Sequence, residues 1–173
     1  MSQYHIESMQ DEHAVEVMAI FNHYIATDFS AFFEDQLPEC FYSVMRDSLH
    51  GLPAVVAKKN SRTVAGFAFL RPYHPAPTMH ITAEVTYFIH PEHARKGVGT
   101  LLLDNLIFQA KNRGILNLVA SISSENQGSL NFHAKNDFCE RGRLCGVGEK
   151  FGRHFDVVYM QRHIADNMAR NIK

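Results

Sequence analysis

The chain has 173 residues, 46% of them hydrophobic, which suits one compact domain with a single core. Lys and Arg number 17 against 18 Asp and Glu, and the net charge of -1 gives no electrostatic attraction for nucleic acid or an anionic membrane. No stretch approaches the ~20 apolar residues of a membrane span, and the N-terminal segment lacks a signal-peptide pattern, so we expect a cytoplasmic protein.

The first predicted elements are two helices followed by a hairpin. Asp11 is positioned to cap a helix with apolar residues at helical spacing, and a second helix is expected over 38–49. The apolar positions of the first helix are Ala14, Met18, Phe21 and Ile25. Two β-rich runs, 53–58 and 63–70, flank a polar four-residue connection, which predicts a β-hairpin.

The second half continues the alternation of strands and helices. A strand over 81–89 precedes the strongest helix, 97–113, which Gly114 is expected to end. Further predictions are a strand over 115–122, a short helix over 126–136, and a final pair of strands from Phe138 around 146–152. This unbroken series predicts one α/β or α+β domain over 1–165, with residues 166–173 as a C-terminal tail.

The three cysteines and the histidines do not form a recognisable metal pattern. Cys40, Cys139 and Cys145 are an odd, scattered set, which predicts reduced, partly buried thiols rather than disulfides. The segment 90–93 (H-P-E-H) is interrupted by proline and lacks H-E-x-x-H spacing. We therefore expect no metal site and no cysteine nucleophile.

A glycine-containing turn lies between the strand over 81–89 and the long helix. Gly97 and Gly99 allow the backbone to approach a ligand closely, and the unpaired amides of a helix's first turn bind phosphate oxygens without net positive charge. Arg95 and Lys96 add local cations. Neither a Walker-type loop nor a dinucleotide fingerprint is present, so another phosphate ligand is indicated. For two glycines alone, an ordinary strand-to-helix turn is the alternative.

Residues 87–91 (Y-F-I-H-P), followed by 95–100 (R-K-G-V-G-T), resemble the signature of the GNAT superfamily of N-acetyltransferases. That signature is a hydrophobic strand, a proline, and then [QR]-x-x-G-x-[GA]; its first position is Ala94 here. The resemblance implies a mixed, mostly antiparallel central sheet flanked by helices, and acetyl-CoA as cofactor. It implies pyrophosphate contacts at Arg95, Lys96, Gly97, Val98, Gly99 and Thr100, and pantetheine pairing with the backbone of Tyr87, Phe88 and Ile89.

Further segments resemble the phosphinothricin and methionine sulfoximine acetyltransferase branch. They are 20–24 (I-F-N-H-Y), 32–34 (F-F-E), 82–84 (T-A-E), 129–133 (S-L-N-F-H) and 148–153 (G-E-K-F-G-R), in the branch's own order. The resemblance implies direct acetyl transfer, in a ternary complex, to the amine of a small molecule such as an amino acid or amino-acid analogue. It also implies a homodimer.

Two residues are candidates for the chemical step. Glu84 is a carboxylate in an apolar strand, and its position in the branch makes it the expected base for the substrate ammonium; the alternative is an exposed or Arg-paired glutamate. His133 occupies the position at which most GNAT enzymes carry a tyrosine near the sulfur. The resemblance implies that His133 protonates the leaving thiol or positions the acetyl group, whereas histidines are otherwise more often structural.

The resemblance also supplies candidates for ligand binding. Asn126 can cap its helix and is placed against the pantetheine or acetyl end of the cofactor. In the loop before Glu84, Arg71 and Tyr73 are candidates for the substrate carboxylate, and His80 replaces an arginine of methionine sulfoximine-type relatives. Phe33 completes the expected substrate site.

Two other functions remain open at this point. A non-catalytic acyl-CoA-binding module keeps the phosphate turn, but it has no need of Glu84 and His133. A GNAT enzyme acting on a protein or polyamine amine is the other alternative, although no acidic run is present to receive a polycation.

Overall fold

The computed structural model describes residues 3–60 and 62–165, so the predicted tail lies outside the described residues. In chain order the strands and α-helices are β1 (Tyr4–Ser8), α1 (Ala14–Thr27), α2 (Phe41–Asp47), β2 (Ala54–Lys59), β3 (Thr63–Pro72), β4 (Thr82–Ile89), α3 (Val98–Lys111), β5 (Asn117–Ser123), α4 (Gln127–Lys135), β6 (Cys139–Lys150) and β7 (Arg153–His163). Short 3-10 turns are at Asp11–His13, Pro77–Met79 and Pro91–His93.

The strands of the described residues form one seven-stranded sheet in the order β1-β2-β3-β4-β5-β7-β6. All neighbouring strands are antiparallel except β4 and β5, which are parallel. The expected mixed, mostly antiparallel sheet flanked by helices is therefore confirmed. Within the described residues, β4 and β5 pair over only three positions, from Thr82 opposite Asn117 to Glu84 opposite Val119. Beyond Glu84 the two strands continue without pairing, and a gap opens in the sheet.

Each face of the sheet has its own apolar core. On one face, Leu102 and Leu106 of α3 pack with Leu118 and Val85 of the two diverging strands. On the other, Ile25 of α1 and Met45 of α2 pack against strand residues that include Phe67, Phe69 and Phe88. Side chains alternate between faces along a strand, so β4 contributes to both cores. The gap beside β4 therefore lies between the two layers of helices.

Most predicted elements are confirmed with small shifts at their ends. The hairpin is β2 and β3, the long helix is α3, and the final strand pair is β6 and β7. Gly114 has φ +75°, and beside it the amide of Ile115 bonds to the carbonyl of Ala110 at 3.1 Å. Asp137, in the turn between α4 and β6, also has positive φ, +61°.

Three expectations were wrong. The strand β1 was missed, since only part of it is buried and its pairing partner β2 lies about fifty residues later in the chain. Asp11 does not cap α1, because Asp11–His13 forms a 3-10 turn in which Nδ1 of His13 accepts from the amide of Gln10 at 2.9 Å. The cysteines are free as expected but exposed rather than partly buried, since Cys139 and Cys145 lie on the edge strand β6.

Among residues 3–60 and 62–165, no helix combines the length and the apolar character needed to cross a membrane.

Candidate active site

A cavity of about 770 Å³ lies at the gap between β4 and β5 and is lined by residues from both faces of the sheet. From the α3 and α4 side the lining includes Gly97, Gly99, Thr100, Phe132 and His133. From the α1 and α2 side it includes Phe21, Phe33, Phe41, Met45 and Phe69. Two ligands that enter from opposite faces can therefore meet where the sheet is open.

The turn before α3 forms one end of this cavity. Arg95 and Gly97 both have positive φ, +60° and +82°, and α3 begins directly after them. The amides of a helix's first turn have no intrahelical acceptor, so this turn directs N–H groups outward. Such a turn fits a pyrophosphate. Arg95, Gly97, Gly99 and Thr100 line the cavity.

Two residues predicted at this turn, Lys96 and Val98, are not among the described residues that line the cavity. The Val98 side chain is fully buried in the core, so only its backbone remains for a phosphate. Lys96 is exposed and, among the described residues, lies outside the cavity lining.

The edge of β4 that faces the gap is the expected partner of pantetheine. Tyr87, Phe88 and Ile89 all line the cavity, while their paired edge is occupied by β3. An unpaired strand edge offers alternating N–H and C=O groups to an extended, amide-containing ligand. The carbonyl of Ile89 already accepts a hydrogen bond from Oη of Tyr24 at 2.6 Å, which fixes α1 against this edge.

Glu84 lies at the closed end of the gap and forms an ion pair with Arg71. The two residues are opposite one another on β4 and β3. Nε of Arg71 donates to one carboxylate oxygen at 3.1 Å, and Nη2 donates to the other at 2.8 Å. The Glu84 side chain is 18% exposed, against 49% for Arg71. The structure thus shows the Arg-paired alternative, with both side chains at the cavity wall.

His133 is buried on α4, and both of its ring nitrogens have partners. Nδ1 lies 2.8 Å from the carbonyl of Ser129, which can only accept, so Nδ1 carries a proton. Nε2 contacts the hydroxyl of Tyr87. Burial lowers the pKa of His133 from 6.5 to about 4, partly opposed by the Ser129 hydrogen bond, and the ring is neutral near pH 7. Nε2 is then an acceptor, and Tyr87 is the donor.

Asn126 is confirmed as the cap of α4. Its Oδ1 accepts from the amide of Ser129 at 2.9 Å, and its Nδ2 donates to Oγ of Ser30 at 2.7 Å. The side chain lines the cavity, but it also ties α4 to the loop after α1. Its predicted contact with the cofactor stays a prediction.

The loop after α1 is held by a second contact. Lys150 is 2% exposed, and its ammonium donates to the carbonyls of Asp28 and Ala31 at 2.7 and 2.8 Å. Burial lowers the pKa of Lys150, against the attraction of Asp28 and Glu34. This contact fixes the segment that carries Phe33 into the cavity wall.

The predicted substrate residues are only partly brought together. Phe33 and Arg71 line the cavity, whereas Tyr73 and His80 lie outside its lining as far as the described residues go. Tyr73 is 45% exposed, and Nδ1 of His80 contacts the carbonyl of Pro77 at 2.7 Å. The predicted contacts of Tyr73 and His80 with the substrate stay predictions.

Among residues 3–60 and 62–165, two groups of side chains outside the cavity have the composition of metal ligands, although we expected no metal. In one group the ligand atoms of His90, Glu92 and His93 lie within 4.8 Å of one another; the other group is Glu7, Glu12 and His13. Burial and the positive charge of Lys59 and Lys96 lower the pKa of His93. The same charge opposes a cation at the first group.

Comparison with known proteins identifies this arrangement. The family model for the acetyltransferase (GNAT) family matches residues 20–138. The chain belongs to this family. Phosphinothricin N-acetyltransferase of Alcaligenes faecalis is 32% identical over 161 residues, covering 91% of this chain and 81% of that one. L-amino acid N-acyltransferase MnaT of Escherichia coli is 36% identical over 114 residues, which is 66% of each chain.

Solved GNAT structures agree with the fold. The structure of yncA, a putative acetyltransferase from Salmonella typhimurium with its cofactor acetyl-CoA, superposes with a TM-score of 0.88 at 25% identity and covers 98% of this chain and 99% of that chain. This GNAT protein is an acetyl-CoA-dependent N-acetyltransferase.

Several contacts of the GNAT site were not foreseen from the sequence. Tyr87 was predicted to act through its backbone, yet its hydroxyl is the partner of His133. The only available signal was strand alternation, which directs Tyr87 to the opposite face from Glu84. Ser30 and Lys150 gave no signal, because their partners lie 96 to 122 residues away.

Proposed function

We propose that this enzyme transfers the acetyl group of acetyl-CoA to the primary amine of an amino acid or amino-acid analogue, directly within a ternary complex. The observation that carries the proposal is one cavity that is lined by the glycine-containing turn before α3 on one face and by the Arg71–Glu84 pair on the other. The opening between β4 and β5 allows the two reactants to meet without a covalent enzyme intermediate.

The acceptor side is suited to a zwitterion. Glu84 is placed to receive an ammonium group. Nε and Nη2 of Arg71 hold Glu84, and in this proposal Nη1 donates to the substrate carboxylate. The neighbouring wall is apolar and includes Phe33, Phe41 and Met45. An amino acid with a mainly apolar side chain fits this combination better than a polyamine, which would need several carboxylates.

The chemistry divides between the two faces. When bound, acetyl-CoA supplies an acetyl group activated as a thioester. Glu84 acts as the base that removes a proton from the substrate ammonium, which is required before nitrogen can attack a carbonyl carbon. His133 and Tyr87 lie on the other side of the gap, where the leaving thiol needs a proton. Arg95, Gly97, Gly99 and Thr100 hold the pyrophosphate.

The names of the relatives support the same class of substrate. They include an L-amino acid N-acyltransferase and a phosphinothricin N-acetyltransferase. L-Methionine sulfoximine/L-methionine sulfone acetyltransferase of Salmonella typhimurium is 33% identical over 121 residues. We propose an acceptor of this kind without choosing among these compounds.

The test is a thiol-release assay with purified protein, acetyl-CoA and a matched panel of amines. The panel contains apolar amino acids, their decarboxylated amines, phosphinothricin, methionine sulfone, spermidine and a short peptide. We expect the amino acids to be acetylated with higher kcat/KM than their decarboxylated counterparts. Acetyl-CoA binding without turnover of any amine points to the non-catalytic alternative, while turnover of only the peptide or spermidine points to the other GNAT functions.

We also infer a homodimer and a cytoplasmic location. The edge strand β6 is exposed along most of its length, with Leu144 and Val147 at 48% and 56% exposure, which suits association with a second copy. Sedimentation of the wild-type chain and of Val147→Asp tests the dimer. If the dimer forms through β6, the variant should shift to monomer. A cytoplasmic location would supply the acetyl-CoA that the proposed reaction consumes.

A further inference from the structure

We propose that Tyr87 and His133 form a proton relay that carries a proton from the acceptor nitrogen to the departing sulfur. In this relay the hydroxyl of Tyr87 contacts the reacting atoms, and His133 acts through Tyr87. The inference rests on the proposed acetyl transfer and assigns Tyr87 a role that its side chain, rather than its backbone, performs.

The direction of the hydrogen bonds follows from Ser129. Its carbonyl oxygen lies 2.8 Å from Nδ1 of His133 and can only accept, so the ring proton is on Nδ1. Nε2 therefore presents a lone pair, and the Tyr87 hydroxyl must be the donor to it. The hydroxyl has one proton, which points at His133. The Tyr87 oxygen can therefore offer only a lone pair to any other group.

The position of the pair fits this role. The His133 side chain is 3% exposed, whereas Tyr87 is half-buried, and both residues line the cavity. The two rings stack with centroids 5.2 Å apart and 24° between their planes, and the Phe132 ring packs edge-on against Tyr87 at 5.2 Å. These contacts hold the phenol in one orientation. Tyr87 lies three residues along β4 from Glu84, in the part that is separated from β5.

The relay completes the proton balance. Glu84 takes the first proton of the ammonium. As the new C–N bond forms, nitrogen gives a second proton to the Tyr87 oxygen, whose own proton moves to Nε2 of His133. As the C–S bond breaks, Nε2 returns its proton to Tyr87, and Tyr87 passes one to sulfur. The products are the amide and the free thiol, Tyr87 and His133 end as they began, and Glu84 releases its proton to solvent.

The low proton affinity of His133 supports this sequence. Burial lowers its pKa to about 4, so an imidazolium formed in the cavity returns its proton readily. Burial also raises the pKa of Tyr87 well above its ordinary value of 10.0, which disfavours a lasting phenolate. The pair can pass a proton on but retains none.

The first experiment compares Tyr87→Phe with a matched loss of a buried hydroxyl elsewhere. Tyr42 on α2 is 4% exposed, and its hydroxyl donates to the carbonyl of Gln10, outside the cavity. In single-turnover assays we expect Tyr87→Phe to slow acetyl transfer at least tenfold with an unchanged Kd for acetyl-CoA. Tyr42→Phe should leave the transfer rate unchanged. A proton inventory, in which the rate is measured in mixtures of H2O and D2O, should show that more than one proton moves in the transfer step of the wild type. Tyr87→Phe should lose this feature.

A second experiment remains informative if the phenylalanine variant fails to fold. Fluorotyrosines at position 87 keep the hydroxyl and the ring but lower the phenol pKa stepwise, so the rate should change stepwise with it. A merely structural hydroxyl would give no such trend. His133→Gln can accept the Tyr87 hydrogen bond but cannot hold a proton, and we expect it to lower kcat with little change in KM.

The outcomes separate the two proposals. If the wild-type enzyme acetylates amines while Tyr87→Phe or His133→Gln keeps the full single-turnover rate, the relay is overturned and the proposed function stands. If the wild-type enzyme binds acetyl-CoA but transfers acetyl to no amine, the proposed function is overturned, and the relay with it.

Discussion

At the scale of single residues, Glu84 has two roles, as the ion-pair partner of Arg71 and as the proposed base for the substrate ammonium. Its carboxylate is held by Arg71 in the structure, yet the proposed chemistry requires it to accept a proton from the substrate. These roles are compatible, because the bidentate pair fixes the carboxylate at the cavity wall, and the ammonium of a zwitterion can approach the oxygens while its carboxylate approaches Arg71.

Glu84→Gln tests the base. The amide keeps the shape and can still accept hydrogen bonds, but it cannot accept the proton, so we expect kcat to fall by roughly 10² to 10⁴ with little change in acetyl-CoA affinity. Raising the pH should restore part of the rate, because more of the amine then arrives already deprotonated. Steady-state kinetics between about pH 7 and pH 9.5 measure both effects.

Arg71→Gln is the matched control, since it breaks the same ion pair and leaves the carboxylate. It should mainly raise KM for amino acids relative to the corresponding decarboxylated amines, without rescue at high pH. Full kcat for Glu84→Gln at neutral pH, with chemistry shown to limit the rate, would contradict the assignment of Glu84 as base.

Among the contacts of these residues, the sequence predicted only those that depend on a local pattern. Strand alternation directs Glu84 and Tyr87 to opposite faces, and the hairpin order brings β3 beside β4. The Tyr87–His133 contact joins positions 46 residues apart and depends on how α4 packs over β4, which no local pattern specifies. The tautomer of His133 depends on the same packing.

At the scale of elements, the turn before α3 allows backbone strain to be separated from ligand binding. Gly97 has φ +82° and open space around the position of a Cβ. Gly97→Val should destabilise the fold by about 1–2 kcal/mol through its left-handed backbone and should also obstruct the phosphate-facing amides. We expect a loss of acetyl-CoA affinity of at least tenfold by calorimetry.

Gly114 provides the control at the other end of the same helix. Its φ is +75°, and apart from its chain neighbours no residue lies within 4 Å of the position that a Cβ would take. Among the described residues it lies outside the cavity lining. Gly114→Val should show a similar loss of stability with an unchanged Kd for acetyl-CoA. Equal affinities for the two folded variants would remove the phosphate assignment from this turn.

The Lys150 contact predicts an effect on the acceptor alone. Lys150→Met keeps most of the side-chain stem but loses both hydrogen bonds to the loop after α1. That loop carries Phe33 to the acceptor side, so we expect KM for the amine to rise several-fold while the Kd for acetyl-CoA stays constant. Lys135→Met on the exposed surface of α4 is the control. A parallel loss of both affinities would show a general loosening instead.

Elements with a strong internal pattern were predictable, and elements defined by their partners were not. The apolar positions of α3, including Leu102 and Leu106, are buried as their spacing predicts. The strand β1 has a weak pattern of its own and exists because β2 pairs with it. The start of α1 was misplaced because the side chain of His13, rather than Asp11, bonds to a backbone amide there.

At the scale of the whole molecule, the gap in the sheet determines how the functions are arranged. Because β4 and β5 separate after Glu84, groups on both helical layers reach one cavity while each layer keeps its own core. The glycine-containing turn before α3 was recognisable in the sequence, since it is local. The gap was not, because it depends on the pairing of two strands that are separated by α3.

The burial of His133 also makes the stability of the whole fold depend on pH. Its pKa is about 4 in the folded protein, against 6.5 for the ordinary side chain. Between these values the unfolded chain binds more protons than the folded one, so stability is fully present above about pH 6.5 and is lost as the pH falls toward 4. At about 1.4 kcal/mol per pKa unit, this loss is about 2 kcal/mol by pH 5.

Urea unfolding of the wild-type protein and of His133→Gln at about pH 7.5 and pH 5 isolates this contribution, since the other titratable groups are common to both proteins. The variant should be less stable at the higher pH, because it loses the packing of the His133 ring against Tyr87 and Phe138. Lowering the pH to 5 should reduce the free energy of unfolding of the variant by about 2 kcal/mol less than it reduces that of the wild type. Identical pH dependence in the two proteins would show that the pKa of His133 is the same in the folded and unfolded states. The low proton affinity that supports the relay would then be absent.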